Sequence, residues 1–208
     1  MCSALLCGWA ATALLAAAPL AQIHVADGEG NALAAVLLQA PVLEPNAVDL
    51  AILLDLSASQ TGARRDASLR LVAGVVEKLR GGGRIQLWTL PAGEKPQMTE
   101  PAAVGSKTLS AAVTRVGRIP SLGAVDLPAG LQQLEPWLSR REEGLPKAVL
   151  YIGDGASAAA PMTPELWERW RLLLLEKQAP WFAVGAGVRL ADGSAAVLAG
   201  ETGGAVFD

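Results

Sequence analysis

The sequence predicts an α/β fold, doubly wound, with a mostly parallel central sheet and helices on both faces. Three observations carry that prediction. Short apolar runs at residues 48–54, 85–90, 148–153 and 181–184 have the length of strands buried on both faces. Amphipathic stretches of helical period separate them. Glycines, prolines and capping residues punctuate the boundaries in the order that strand–helix alternation requires.

The first strand, about 48–54, is followed by a helix at about 63–80 with Leu69, Val72, Val76 and Leu79 on one face and Gly81–Gly83 as its stop. Residues 85–90 form the next strand. Residues 91–105, rich in Pro and Gly, hold a short edge strand. Ser106 caps a helix carrying Leu109, Val113 and Val116, and Asp126 caps another with Leu127, Leu131, Leu134 and Leu138 inward, despite Pro136 within it. After the strand at 148–153, Thr163-Pro164-Glu165 opens a helix in the expected order, cap first and then Pro at the first helical position. A strand at 181–184, a short helix at 194–201 and a last strand at 205–207 complete the alternation.

Two segments precede this domain, which spans residues 47–208. Residues 1–21 carry no charged side chain, hold an apolar stretch and end in small alanines, the pattern of a secretory signal peptide, although the basic start of such a leader is lacking. Residues 22–46, with Gly28, Gly30, Pro41 and Pro45 around an apolar patch, read as either a linker or a pre-strand. The expected location is therefore export to the periplasm, the medium or the cell surface, with no membrane span left after the leader is removed. The chain stops at Asp208 directly after a strand, where such a sheet normally carries one more helix. The expectation is that these residues are the N-terminal part of a longer protein.

Composition removes several function classes. The net charge of −3 leaves no basic footprint for nucleic acid. Both cysteines, Cys2 and Cys7, lie in the leader, so the remainder can form neither disulfides nor thiolate metal sites. His24 is the only histidine, which excludes sites built on several histidines and leaves Ser57 without a plausible His partner. The glycine clusters at 81–83 and 200–204 lack the Gly-Lys-Ser/Thr of a phosphate loop and read as helix stops. Trp167 and Trp170, three apart on a helix, read as packing residues, and Arg140-Arg141-Glu142-Glu143 as a solvated helix end.

The chemistry concentrates at two strand ends. Residues 48–54 run into Asp55-Leu56-Ser57-Ala58-Ser59, which sets three oxygen donors beyond the carboxyl edge of the sheet, where ligands of parallel sheets bind. Taken alone, the same residues also suit a strand end whose side chains only cap the next turn. A second acid, Asp154 in Gly153-Asp154-Gly155, ends a later strand, and such an acid is expensive to desolvate without a cation or donors around it. Between them lies the loop Leu122-Gly123-Ala124-Val125-Asp126-Leu127.

This pattern resembles the von Willebrand factor A-type domain, over residues 48–208. The resemblance implies a metal-ion-dependent adhesion site in which Asp55, Ser57 and Ser59 supply the first ligands and Asp154 the last acid. It implies Mg²⁺, or Mn²⁺ or Ca²⁺, as the ion, and a protein ligand offering a carboxylate as the partner. Val125 stands where the family has a ligating threonine, which implies a weaker site, a site used only in the geometry that omits the threonine, or a lost one. Asp126, beside it, is a further possible ligand or simply the helix cap.

Gly153-Asp154-Gly155 is also similar to the last acidic motif of haloacid-dehalogenase phosphatases. Those enzymes need a second Asp two residues after the nucleophile, and here that position is Ser57. A serine with no base beside it cannot serve as that acid and base. The reading that follows is a non-catalytic, metal-dependent binding module, with the phosphatase, and a scaffold domain bearing a vestigial site, as alternatives.

Overall fold

The structure is a computed structural model that describes residues 19–26, 32–38, 47–79, 82–90, 97–140, 145–186, 190 and 194–207. The chain divides into two compact units, Met1–Glu44 and Pro45–Asp208. In the first, β1 (Pro19–Ala26) and β2 (Ala32–Leu38) pair antiparallel, so part of the segment that the sequence leaves as linker or pre-strand is paired β-strand. Residues 1–18, most of the expected leader, lie outside the described residues.

The second unit contains β3 (Asp49–Asp55), α1 (Ala63–Lys78), β4 (Arg84–Leu90), β5 (Gln97–Met98), β6 (Ala102–Ala103), α2 (Lys107–Val116), α3 (Leu127–Ser139), β7 (Lys147–Ile152), α4 (Pro164–Glu176), β8 (Trp181–Val184), α5 (Ser194–Thr202) and β9 (Val206–Phe207). The sheet runs β5-β4-β3-β7-β8-β9, with β6 also on β4. The β3–β4, β3–β7, β7–β8 and β8–β9 pairs are parallel, and β5 and β6 are antiparallel to β4. The expected mostly parallel doubly wound sheet is what the chain forms. Among the described residues of 91–105, the expected short edge strand takes the form of two dipeptides, β5 and β6, each short enough to limit the unpaired edge.

Alternation along the strands builds two cores. Ala51, Leu53, Val149 and Tyr151 face one side, in a cluster with Leu131 and Leu134 of α3, Trp170 and Leu174 of α4, and Leu198 of α5. Leu50, Ile52, Leu54, Leu150 and Ile152 face the other, with Val72 of α1 and Leu109 and Val116 of α2. Every residue of β3 is buried because strands flank it and helices cover both its faces.

The caps fall where the sequence places them. Ser106, Asp126 and Thr163 accept the N–H groups of Leu109, Ala129 and Leu166 at the starts of α2, α3 and α4. Helix α1 is capped differently at both ends. It starts after Gly62 without a side-chain cap, and it stops at Lys78, where Leu79 turns extended before the glycines are reached.

Topology fixes where a ligand belongs. From β3 the chain moves to β4 on one side, then crosses back to β7 on the other, so the strand order reverses between β3 and β7. A crevice opens beyond the carboxyl ends of neighbouring strands at such a switch point. Asp55 ends β3, and Asp154 follows two residues after β7 ends.

Candidate metal centre

Asp55 is completely buried, with an exposure of 0%. Its Oδ1 accepts the backbone N–H of Ser57 at 2.7 Å, a two-residue turn that aims the chain back over the strand end. The Tyr151 hydroxyl donates to its Oδ2 across 3.5 Å, the outer limit of a hydrogen bond. Burial pushes the Asp55 carboxyl up to about 6, the Ser57 bonds pull it down, and the neighbouring Asp154 charge adds to the rise.

Beyond Asp55 the remaining predicted donors meet in a line. Ser57 Oγ lies 2.9 Å from Ser59 Oγ, and Ser59 Oγ donates to Asp154 Oδ2 at 2.6 Å. The Ala156 N–H donates to Asp154 Oδ1 at 3.0 Å. Ser57 is buried while Ser59 is exposed, so the cluster passes from the interior to the surface over two residues. The structure thus brings Asp55, Ser57, Ser59 and Asp154 together.

The third loop joins them through the backbone. The Ala58 N–H donates to the Gly123 carbonyl at 2.8 Å and the Leu122 N–H to the Leu56 carbonyl at 3.0 Å. On its other side the Ala159 N–H reaches the Val125 carbonyl at 2.9 Å, and the Leu127 N–H reaches Ser157 Oγ at 2.9 Å. Arg65 of α1 steadies the approach to this loop by donating to Ser121 Oγ and to the carbonyls of Gly117 and Ile119. Asp126 uses Oδ1 as the α3 cap, at 2.9 Å from the Ala129 N–H. Val125 is 1% exposed and belongs to the apolar cluster that includes Leu90, Leu127 and Tyr151.

Several participants were not legible as site residues. Tyr151 looks in sequence like one more apolar strand position, and the only hint is that it is the sole tyrosine. Gly153 looks like part of a turn. Gln60, also 0% exposed, donates Nε2 to Ser59 Oγ at 3.4 Å, while its Oε1 has no hydrogen-bond partner. Trp170 is a core residue and Trp167 packs against the same core, as their helical spacing suggests.

The donor set is two carboxylates and two hydroxyls, all hard oxygen ligands that suit Mg²⁺, Mn²⁺ or Ca²⁺. Among the described residues, each hydrogen bond to the two carboxylates comes from a neutral donor. A buried carboxylate with a second one beside it and neutral donors around it fits a cation of external origin. No group of three or more His, Cys, Asp or Glu that could hold a metal occurs among the described residues, and this set instead draws half of its donors from serines.

The sequence profile of the von Willebrand factor type A domain matches residues 48–199. No curated protein matches the chain in sequence. Among solved structures, the chain is similar to a von Willebrand factor type A protein from Catenulispora acidiphila, with 16% identity and a TM-score of 0.65 over 90% of this chain and 42% of that one. It is similar to the ArnB paralog VWA2 from Sulfolobus acidocaldarius, with 12% identity and a TM-score of 0.56 over 78% of this chain and 41% of that one. It is also similar to the conserved hypothetical protein BatB from Bacteroides thetaiotaomicron, with 16% identity and a TM-score of 0.59 over 77% of this chain and 89% of that one. The chain therefore spans less than half the length of the first two.

Proposed function

The chain belongs to the von Willebrand factor type A domain family, and we propose that it is a divalent-cation-dependent protein-binding module of an exported protein. Domains of this family are generally non-catalytic interaction modules. The finer reading rests above all on one observation: Asp55, wholly buried at the switch point, lies beside Asp154 with only neutral donors on either carboxylate among the described residues.

In this reading Ser57 and Ser59 offer their hydroxyl oxygens to Mg²⁺, and Asp55 and Asp154 contribute directly or through ordered water. A bound dication, only partly neutralised by this donor set, supplies residual positive charge and a coordination position for a carboxylate of the partner protein. The loop backbone holds these donors in place, and the variable loop surfaces around them select the partner. Water takes the place of a hydroxyl at Val125. His24 is the only histidine of the sequence, so neither serine has the Ser–His pairing of an activated nucleophile, which supports a binding role over a catalytic one.

Calorimetric titration with Mg²⁺, Mn²⁺ and Ca²⁺ tests the reading. Binding at millimolar ion or below is expected for the wild type and not for Asp55→Ala. Absence of wild-type binding, or equal binding by the variant, leaves a scaffold with a vestigial site. For export, the uncharged apolar stretch at residues 1–21 is the support. The N-terminus of the exported protein is expected between about residues 19 and 25, and an intact Met1 in a cytoplasmic fraction refutes it. No helix among the described residues is long and apolar enough to cross a membrane.

A further inference from the structure

We propose that Tyr151 is a positioning residue of the cation site, its phenolic hydroxyl bridging the two acidic strand ends from inside the core. This rests on the reading that Asp55, Ser57, Ser59 and Asp154 hold the cation. Tyr151 is 1% exposed and sits within β7, where its neighbours on the same face are apolar. Its ring stacks on Trp181, with centroids 6.1 Å apart and planes 14° from parallel, so the hydroxyl is held by a rigid lever. That hydroxyl donates to Asp55 Oδ2 at 3.5 Å and accepts the Gly155 N–H at 3.0 Å. One oxygen atom therefore touches the carboxylate that ends β3 and the backbone that follows Asp154.

Each contact does something that the motif residues leave undone. The Ser57 N–H donates to Oδ1 of Asp55, and the phenol donates to Oδ2 of the same buried carboxylate. The donor fixes the rotation of the carboxylate, and with it the direction in which the remaining lone pairs point. The Gly155 bond pins the turn immediately after Asp154, the turn that lets Asp154 Oδ2 meet Ser59.

Gly153 is the second half of the same device. A Cβ at this position would stand 2.5 Å from the Tyr151 hydroxyl and 2.6 Å from Asp55 Cβ, distances that real Cβ atoms essentially never show. Gly153 has no left-handed backbone to explain it, so the requirement is steric. Position 153 gives up its side chain, and the hydroxyl of residue 151 occupies the space beside Asp55.

The test is Tyr151→Phe, which removes one oxygen and keeps the ring and its stacking. Manganese affinity measured by calorimetry, checked by the spin-resonance signal of free Mn²⁺, is expected to fall roughly ten-fold, the lower end of the range for lost outer-sphere partners. Wild-type binding with a variant within two-fold of it overturns the positioning role and leaves the cation reading standing. No binding by the wild type overturns both. A lower melting temperature in chelator with unchanged affinity assigns Tyr151 to packing alone and also overturns the proposal. Since Tyr151 is the only tyrosine, growth on 3-fluorotyrosine places one fluorine reporter at this position in the otherwise unaltered chain. Its resonance is expected to shift as Mg²⁺ is added and to saturate with the calorimetric affinity. A resonance indifferent to an ion that calorimetry shows bound overturns the proposal even if Tyr151→Phe fails to fold.

Discussion

Asp49 and Asp55 stand at opposite ends of β3, both buried, and the protein treats their charges in opposite ways. Asp49 Oδ2 pairs with Arg84 at 2.9 Å, and its register partner on the other flank is Lys147. Burial pushes the Asp49 carboxyl up while Arg84 and Lys147 pull it back. Asp55 meets neutral donors, and the neighbouring charge that acts on it is that of another acid, Asp154. Within one strand, Asp49 is thus paired with cations at one end, while the described hydrogen bonds to Asp55 at the other end all come from neutral donors.

That difference predicts a pH dependence. The Asp55 carboxyl rises from 3.8 to about 6 on folding, so the folded chain holds this proton more tightly than the unfolded chain does. Below about pH 4 both states are protonated and Asp55 carries no penalty. Between 4 and 6 the unfolded chain ionises first, and above about 6 the penalty is complete at about 3 kcal/mol. In chelator, the stability of Asp55→Asn relative to the wild type should therefore climb across that window and level off above it. Urea unfolding at pH 4, 5, 6 and 7.5 measures the climb, and a difference that stays flat with pH refutes it. Saturating Mg²⁺ should narrow the gap at pH 7.5 and not at pH 4.

The four donors should not be equal. In the proposed site, Asp55 and Asp154 would carry the charge that retains a dication, whereas Ser57 and Ser59 would contribute hydroxyls that water can replace. Alanine at either acid is expected to weaken Mg²⁺ binding by about ten-fold more than alanine at either serine. Calorimetry on the four single variants gives the ranking, and a serine variant weaker than both acid variants refutes it.

Lys147 works at the other edge. Its Nζ donates to the carbonyls of Trp137, Leu138 and Arg140, closing the C-terminus of α3, and lies 5.2 Å from the centre of the Trp137 ring. Lys147→Met keeps the apolar stem, takes a charged donor from three carbonyls, of which that of Trp137 still accepts the Arg140 N–H, and removes a positive charge near Asp49. A loss of about 3 kcal/mol is expected, with Mg²⁺ affinity unchanged. A loss below about 1 kcal/mol in urea unfolding contradicts that role.

How much of this could be read from the chain follows from range. The strands were legible because full burial on both faces leaves an uninterrupted apolar run, and the caps of α2, α3 and α4 because Ser106, Asp126 and Thr163 act within three residues. Asp55, Ser57 and Ser59 were legible as one local motif, and Asp154 as a second acid ending a buried strand. Tyr151 was not, because its contact with Asp55 spans 96 positions and depends on the β3–β7 register. The Arg65 bonds to the loop after α2, more than fifty residues away, are equally invisible in sequence. The end of α1 agrees with the expected one to within two residues, Leu79 turning extended just ahead of the glycines.

Val125 gives the sharpest test of the loop. Its carbonyl is bound by the Ala159 N–H, its side chain is 1% exposed, and the residues before it are bonded to the turn that carries Ser57 and Ser59. The backbone of this loop is thus fixed against that turn while the side chain of Val125 is apolar. Threonine has nearly the same shape, so Val125→Thr changes one methyl into a hydroxyl in a cluster with Leu90 and Leu127. In chelator the variant is expected to be about 1–2 kcal/mol less stable, because a hydroxyl is buried among apolar groups. With Mg²⁺ present, the same hydroxyl gains a use, and affinity should rise several-fold above the wild type. Chemical unfolding with and without Mg²⁺, together with calorimetry, separates the two effects. Destabilisation without any gain in affinity means that Val125 serves the core alone and that the ligand position lies elsewhere in the loop.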